Sequence, residues 1–406
     1  MEKYSDYSYK FIERILNEVG PRESGSSEEE KASKIVQEEL NKYCDKVDYE
    51  PFTLSPKAFL GWTNFSIYIF IISFLLLLLP YFFPSLYLIA PIIASILVIF
   101  FFITLILEFG FYKEFIDSLY KKKMSQNIVG KIYPKKEIKN VLIFSGHHDS
   151  AYEFNLIKWG KGRFMILFTA LGLIPMFMIL IDSLYALIYS ILFQTYNNLI
   201  NIKLLFTVPF WPFLIIFHFF VSDKAVPGAM DNLSSVSVVL AIGKYLFENK
   251  DSEFYPENSL IYLISFGSEE AALRGSKRFV KKHYNEIKNG IVINFESLAK
   301  EDLLKVIKKE QTAKLSEDLC IEISNIANNL GIKCDIGTLF FGTGGTDAAS
   351  FAKAGIRATT IIAQPIGPVY YYHTRYDTID VIQKETLKKV LTIVLNYIKY
   401  IDKKSK

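Results

Sequence analysis

Five histidines are spread over 406 residues, and three of them stand beside carboxylates in short motifs. His147 and His148 are followed at once by Asp149 in GHHDS, and His373 precedes Asp377 in YYHTRYDTID. Glu269 and Glu270 adjoin in GSEEAALRGS, Glu296 lies in NFES, and Asp231 sits in PGAMDNLSS. Each motif alone has an ordinary explanation. An Asp before Asn at a helix start is usually an N-cap, a Glu pair at a helix start complements the helix dipole, and Tyr-His in a loop is usually a surface turn. Together they say more, because carboxylates gathered at one place repel one another unless a cation sits among them. A mixed set of imidazoles and carboxylates suits Zn²⁺, with Mn²⁺ or Co²⁺ as alternatives, and the chemistry open to such a set is metal-assisted hydrolysis.

Bringing these motifs together is a task for strands. NVLIFSG runs into His147, SLIYLISFG into Glu269, and GIVINF into Glu296, while ATTIIA precedes the loop that carries His373. With NIVGKIYP these are β-branched runs of strand length, and most are separated by helical patterns: SSVSVVLAIGKYLFEN after Asp231, AALRGSKRFVKKHY after Glu270, and SEDLCIEISNIANNL before Cys334. The first 56 residues read as helix, the turn GPRESGSS, a second helix and the strand KVDYEPF. This alternation predicts an α/β fold, a mostly parallel mixed sheet covered by helices on both faces, in which reactive groups collect where strands end.

Composition adds a second material. Hydrophobic residues make up 51% and mean hydropathy is +0.23, yet charged residues still reach 22%. The apolar excess is localised. No charged residue occurs from Ala58 to Leu107, a stretch of roughly 75 Å as one helix, which predicts a helical hairpin with spans near 60–79 and 85–107 around Pro80 and Pro84. From Phe164 to Val221 only Asp182 and Lys203 carry formal charge, predicting spans near 164–190 and 204–221 with 194–201 at the far interface. The expected partner of these four spans is a lipid bilayer. The expected organisation is a soluble domain in three parts, 1–56, 111–163 and 222–406, interrupted by transmembrane hairpins at 57–110 and 164–221.

Lysines flank the span ends nearest the soluble parts, Lys57, Lys113, Lys121, Lys158 and Lys224 among them, so the soluble side is expected to be cytoplasmic. The charged opening MEKYSDYSYK argues against a signal peptide before the first hairpin. The excess of lysine over arginine, with abundant Ile, Phe, Tyr and Asn, points to a prokaryotic cell membrane. Trp62, Trp159 and Trp211 near the span ends fit interfacial anchoring, with mid-span packing an equal alternative for Trp211 in PFWPF. A formal net charge of +4 without a basic stripe excludes nucleic acid as a partner. Three scattered cysteines exclude a disulfide framework and a thiolate metal site. Low complexity is confined to the lysine-rich tail KKSK.

The order GHHDS, GAMDN, GSEEAALRGS, NFES and YHTRYDTID resembles the M28 family of zinc aminopeptidases, and GPRESGSS and GTDAASFAKAGIRATTI resemble that family's opening and its stretch before the last strand. The resemblance implies a zinc aminopeptidase-like fold, a peptide substrate and two zinc ions. It implies that His147 binds one ion with Asp149 behind its ring, that Asp231 bridges both ions, that Glu296 completes the first site, and that Glu270 and His373 complete the second. Glu269 is then the unliganded general base, and Tyr372 is a candidate oxyanion donor, with ring packing as its ordinary alternative. Glu296 stands where the family usually has Asp, and Ser235 and Ala272 replace glycines, which is expected to tighten the substrate space. His148, His218 and His283 fall outside the pattern.

The expected function is a membrane-anchored di-zinc aminopeptidase acting at the cytoplasmic membrane face. The alternatives are a glutaminyl-cyclase-like aminoacyl transferase with one zinc, a non-catalytic membrane receptor or scaffold on the same fold, and a transporter with a regulatory domain. The complete ligand set disfavours the first two, and the spans lack the paired charges of the third. The second hairpin leaves about 16 residues after His147 and returns about 10 before Asp231, a reach of at most roughly 58 and 36 Å that places the site near the bilayer, where apolar or membrane-released peptides would be at hand.

Overall fold

The computed structural model describes residues 1–340, 344–367 and 369–404, so the last two residues of the lysine-rich tail lie outside it. Its strands are β1 (Lys46–Leu54), β2 (Lys123–Ile132), β3 (Asn140–His147), β4 (Tyr152–Phe154), β5 (Val221–Ala225), β6 (Ser259–Phe266), β7 (Ile291–Leu298), β8 (Lys305–Glu310), β9 (Ala313–Lys314), β10 (Asp335–Thr338) and β11 (Arg357–Ala363). The helices are α1 (Glu2–Glu18), α2 (Ser27–Tyr43), α3 (Trp62–Phe82), α4 (Ile89–Thr104), α5 (Asn155–Phe193), α6 (Leu199–Leu205), α7 (Trp211–His218), α8 (Ser234–Glu248), α9 (Arg274–Ile287), α10 (Glu317–Asn329), α11 (Ala348–Lys353) and α12 (Lys384–Lys404). By the contacts among them the chain divides into two compact units, one of Met1–Pro56, Lys121–Glu153 and Lys224–Lys406, the other of Lys57–Tyr120 and Phe154–Asp223.

The first unit is built on one mixed sheet in the order β1-β2-β6-β3-β7-β11-β8-β10, with β9 paired to β8. Its centre, β6-β3-β7-β11, is parallel, while β1 and β2 run antiparallel at one side and β8 antiparallel to β11 at the other. Strand β6 shows why the sequence reads as a continuous apolar run: every residue of SLIYLISF is buried. Ile261 and Leu263 point into the core shared with α8, and Leu263 lies beneath Gly243. Tyr262 and Phe266 point the other way, their rings against Phe279 of α9. A parallel sheet covered on both faces has no polar side, hence no alternation. β8, the sequence KVIKKE, carries three lysines and escapes an apolar-run criterion, though Val306 and Ile307 are fully buried.

α8 begins where its apolar pattern begins, and α9 begins three residues into its own. α8 starts at Ser234, three residues beyond Asp231, and α9 starts at Arg274, four beyond Glu270. Non-helical backbone intervenes: Asp231 has φ −114° and ψ 87°, Asn232 has φ −142° and ψ 33°, and Ser268, Ala272 and Leu273 all have positive φ. Asp231 is therefore no N-cap, and the Glu pair does not open a helix. The expectation that Ser235 narrows a substrate space also fails, because its Cβ packs toward Gly146 of β3 and the residue is fully buried.

α9 runs unusually close to the turn after β6. A Cβ at Gly275 would lie 2.3 Å from the Gly267 carbonyl oxygen and 2.5 Å from Asn127 Oδ1. Gly275→Ala should therefore destabilise the fold by about 1–3 kcal/mol through overpacking, read as a lower midpoint of thermal unfolding. An unchanged midpoint would show that the turn yields freely.

The second unit is helical and contains four helices long and apolar enough to cross a membrane by length and composition: Trp62–Phe82, Ile89–Gly110, Asn155–Phe193 and Leu199–His218. Pro80 falls inside α3, whose last turn runs on to Phe82, and Pro84 opens the short turn Pro84–Leu86. α5 begins nine residues before Phe164 and breaks at Lys161, where φ is 63°. Its far end is Gln194, also left-handed, and the chain re-enters helix at Leu199, earlier than the expected Leu204. Trp62 is not an interfacial anchor: it is 6% exposed, among the rings of Phe101, Phe109 and Phe217. Trp211 packs on Phe74 and donates its Nε1–H to Thr207, while Trp159 is exposed.

Candidate metal centre

His147 is the last residue of β3, Glu296 lies near the end of the neighbouring β7, and Glu269 and Glu270 follow β6 on the other side of β3. Three adjacent parallel strands thus deliver their next polar residues to one edge of the sheet. Asp231 reaches that edge from the turn Ala229–Leu233, and His373 from the loop after β11, with φ 50°. The cis peptide Asp231–Asn232 lies in that turn.

The side chains meet closely. Asp231 Oδ1 is 3.3 Å from His147 Nε2, and its Oδ2 is 3.1 Å from His373 Nε2. Glu296 Oε1 is 3.5 Å from His147 Nε2, and Glu270 Oε1 is 3.4 Å from His373 Nε2. Potential ligand atoms fall into three overlapping groups, each within 4.8 Å: His147, Asp231 and Glu296; Asp231, Glu270 and His373; and His147, Glu269 and Glu270. Asp231 belongs to the first two, and Glu269 occurs only in the third, 3.7 Å from His147 Nε2. Every one of the metal-ligand and base candidates named from the sequence is in this cluster. Tyr372 stands over it with its ring stacked on the His373 imidazole at 3.9 Å and 20°.

Three buried carboxyls, the partly buried Glu270 and two imidazoles at this spacing are electrostatically frustrated without a cation. Burial pushes Glu269 and Glu270 well above the usual carboxylate range, and it pushes Glu296 up to about 8. Burial alone would lower His147, but Glu296 and Glu269, with the hydrogen bonds to Asp149 and Asp231, hold its pKa well above the ordinary imidazole value. Burial opposes ionisation of Asp231 too, and the hydrogen bonds from both histidines overcome it and lower its pKa. Glu270 Oε1 and Glu296 Oε2 have no hydrogen-bond partner among the described residues. Unpaired buried acceptors and two imidazoles facing one carboxylate are the donor set of a divalent cation.

A layer behind the cluster fixes its members. Asp149 lies 3.2 Å from His147 Nδ1 and accepts hydrogen bonds from the backbone N–H of Glu269 and Glu270 and from Ser24 Oγ, so one carboxylate orients a ring and the Glu pair together. Asp377 accepts from the N–H of Met230 and Asp231 at 2.7 and 3.0 Å. Asn232 ties the same turn to β7, donating to Phe295 O and accepting from Ser297 N. Glu153 holds Arg375, two residues past His373, through paired 2.7 Å contacts. Of this layer only Asp149 has a role implied by the sequence motifs. The adjacency of Asp377 to His373 was a signal for another, whereas Glu153 carried none.

The remaining histidines lie apart. His148 is fully buried, with Nδ1 2.8 Å from Ser265 Oγ, and burial lowers it to about 3. His283 is not incidental: its Nε2 is 2.7 Å from Glu50, which β1 buries beneath α9. His218 lies edge-on to Tyr68.

A further buried carboxyl makes a pH prediction. Glu310 at the end of β8 accepts from Thr346 N and Oγ1, and burial raises it from 4.5 to about 7. The folded state thus holds this proton where the unfolded chain releases it. Its contribution is complete below pH 4.5 and is lost as pH rises toward 7, about 3 kcal/mol in all. Glu310→Gln should flatten that part of the stability profile of metal-free protein, followed by thermal unfolding at pH 4.5 and 7.5. An unchanged slope would assign it to other groups.

Solved structures share the fold. An aminopeptidase from Aneurinibacillus sp. strain AM-1 superposes with a TM-score of 0.55 at 16% identity, covering 96% of this chain and 92% of that one. A Zn-dependent exopeptidase from Parabacteroides distasonis ATCC 8503 gives 0.56 at 14%, covering 97% of each chain. A glutaminyl cyclase from Bacteroides thetaiotaomicron, bound to N-acetylhistamine, gives 0.56 at 15%, also covering 97% of each. A comparison with curated protein sequences finds no match. A mixed α/β sheet with this His/Asp/Glu cluster at its strand ends is the zinc aminopeptidase-like fold, and with the family match at residues 214–398 it marks a metallo-peptidase. The family model described as Peptidase family M28 matches residues 214–398, and the chain carries a domain of that family.

Proposed function

We propose that the protein is a membrane-integrated di-zinc aminopeptidase that removes N-terminal residues from peptides. The observation that carries this reading is Asp231, whose two oxygens face different imidazoles and so divide the cluster into two triads sharing one carboxylate. His147, Asp231 and Glu296 would hold one ion, and Asp231, Glu270 and His373 the other, with Mn²⁺ or Co²⁺ as alternatives to zinc. When bound, the ions polarise the scissile carbonyl and lower the pKa of the attacking water.

The remaining steps belong to the chain's own groups. Glu269 stands between the triads and accepts the proton of the attacking water, then returns it to the departing amine. Its burial favours the protonated form that this second transfer needs. Asp149 keeps the His147 ring and the Glu269 backbone in one geometry while charge moves. Tyr372, whose ring stacks on His373, would donate to a developing oxyanion.

The four apolar helices would cross a prokaryotic cell membrane, with the catalytic unit on the cytoplasmic side that the flanking lysines favour and with apolar or membrane-released peptides as substrates. A peptide beginning with glutamine separates this reading from an aminoacyl cyclase. Mass spectrometry should find the free N-terminal residue and a peptide shortened by one, with no product from the N-acetylated peptide. A peptide of unchanged length that has lost ammonia would assign the cyclase reaction instead.

A further inference from the structure

We infer that residues 20–29 form a brace for the metal centre, with Arg22 as its principal positioning residue and Ser24 as its second, and that this brace sets the centre's affinity for zinc. The inference rests on the reading of the cluster as a zinc site.

Arg22 is fully buried, and each hydrogen bond of its guanidinium goes to a backbone carbonyl. Nε donates to His148 O at 2.7 Å, directly after His147. Nη1 donates to Gly20 O and Pro227 O at 2.7 Å each, and Nη2 to Gly228 O at 3.0 Å, three residues before Asp231. One rigid planar group thus couples the turn after β3 to the turn that presents the shared carboxylate. The main chain joins in: Arg22 N donates to Ser150 Oγ, and Ser150 N donates to Arg22 O, both at 2.9 Å.

The same loop reaches the other ligand segments. Ser24 Oγ donates to Asp149 Oδ2 at 2.7 Å, on the oxygen that also receives the Glu270 N–H. Glu29, buried at the start of α2, accepts from Ser268 N at 2.8 Å and from Gly25 N at 2.6 Å, linking the brace to the residue before the Glu pair. Three segments distant in sequence, around 147, 228 and 269, are therefore tied together by residues 20–29, a loop and the first turn of α2.

Lysine cannot replace this arginine. An ammonium has three donors at a single point, whereas the acceptors are spread over two turns and require the guanidinium's fork. Interactions that orient metal ligands from behind are worth about 10 to 100-fold in metal affinity, and that range is the expected effect of Arg22→Lys. Ser24→Ala, which removes one hydrogen bond to Asp149, should fall at the lower end.

The test measures zinc binding to the full-length protein by competition with a chromogenic chelator, alongside the melting temperature of the metal-free form. Val394→Ala, a core truncation on α12, serves as the control for a purely structural loss. The expected result is weaker zinc binding in Arg22→Lys and Ser24→Ala with wild-type affinity in Val394→Ala. Should Arg22→Lys fail to fold, Ser24→Ala carries the test. Wild-type affinity in the folded brace variants, or an equal loss in Val394→Ala, would overturn the inference. A wild-type protein that binds zinc yet cleaves no peptide would overturn the proposed function and leave the brace standing.

Discussion

Glu269→Gln is expected to keep its zinc and to lose about 10² to 10⁴ in kcat, because the amide preserves shape and cannot take a proton. Its position makes the prediction specific. Glu269 occurs only in the group that spans the two triads, and its backbone N–H is already committed to Asp149. Substituting it therefore leaves the triads and their support intact. Glu270→Gln differs, since Glu270 Oε1 is 3.4 Å from His373 Nε2 and belongs to the second triad, so that variant should lose metal. Zinc analysis and turnover on one peptide distinguish the two. Wild-type turnover in Glu269→Gln would remove it from the mechanism.

Asp231→Ala should have the largest effect. Without Asp231 the first triad shrinks to His147 and Glu296, and the second to Glu270 and His373. Catalytic zinc sites usually hold the ion with three protein ligands, so neither remaining pair suffices. We expect both ions to be lost at micromolar zinc, with kcat/KM falling by more than about 10⁴, a loss comparable with removal of a central catalytic group. The hydrogen bonds of Asp377 go to the backbone of residues 230 and 231 and survive the change, so the turn should keep its path. A variant that retains two ions per chain would show that the bridging assignment is wrong.

What the sequence makes legible follows from where its information is local. A strand reads as a run of β-branched and apolar residues, and β3, β6, β7 and β11 stand out because both their faces are buried. The residue after such a run is committed to the sheet edge, which is how motifs distant in sequence can be referred to one place. That Asp231 and the Glu pair lie ahead of their helices is hidden for a related reason. Asp231 and the Glu pair are held in non-helical backbone, and the positive φ of Ser268, Ala272 and Leu273 has no signature in SEEAAL. Arg22 was illegible because an arginine in a polar turn normally faces water. Its burial depends on carbonyls contributed more than a hundred residues away. Trp62 was misread for the converse reason, since nearness to a span end does not say whether a ring faces outward or joins a cluster such as that of Phe101, Phe109 and Phe217. The C-terminal helix α12 is legible in the sequence: Leu387, Val390, Leu391, Val394 and Ile398 repeat at helical spacing, and all are buried.

Whether two ions share Asp231 is measured most directly by a zinc titration of metal-free protein in which bound zinc per chain and turnover of a free-amino peptide are followed together. Turnover should reach its maximum at two ions per chain, be abolished by chelation and return with added zinc. Full turnover at one ion per chain, or in protein stripped of metal, would contradict the shared site.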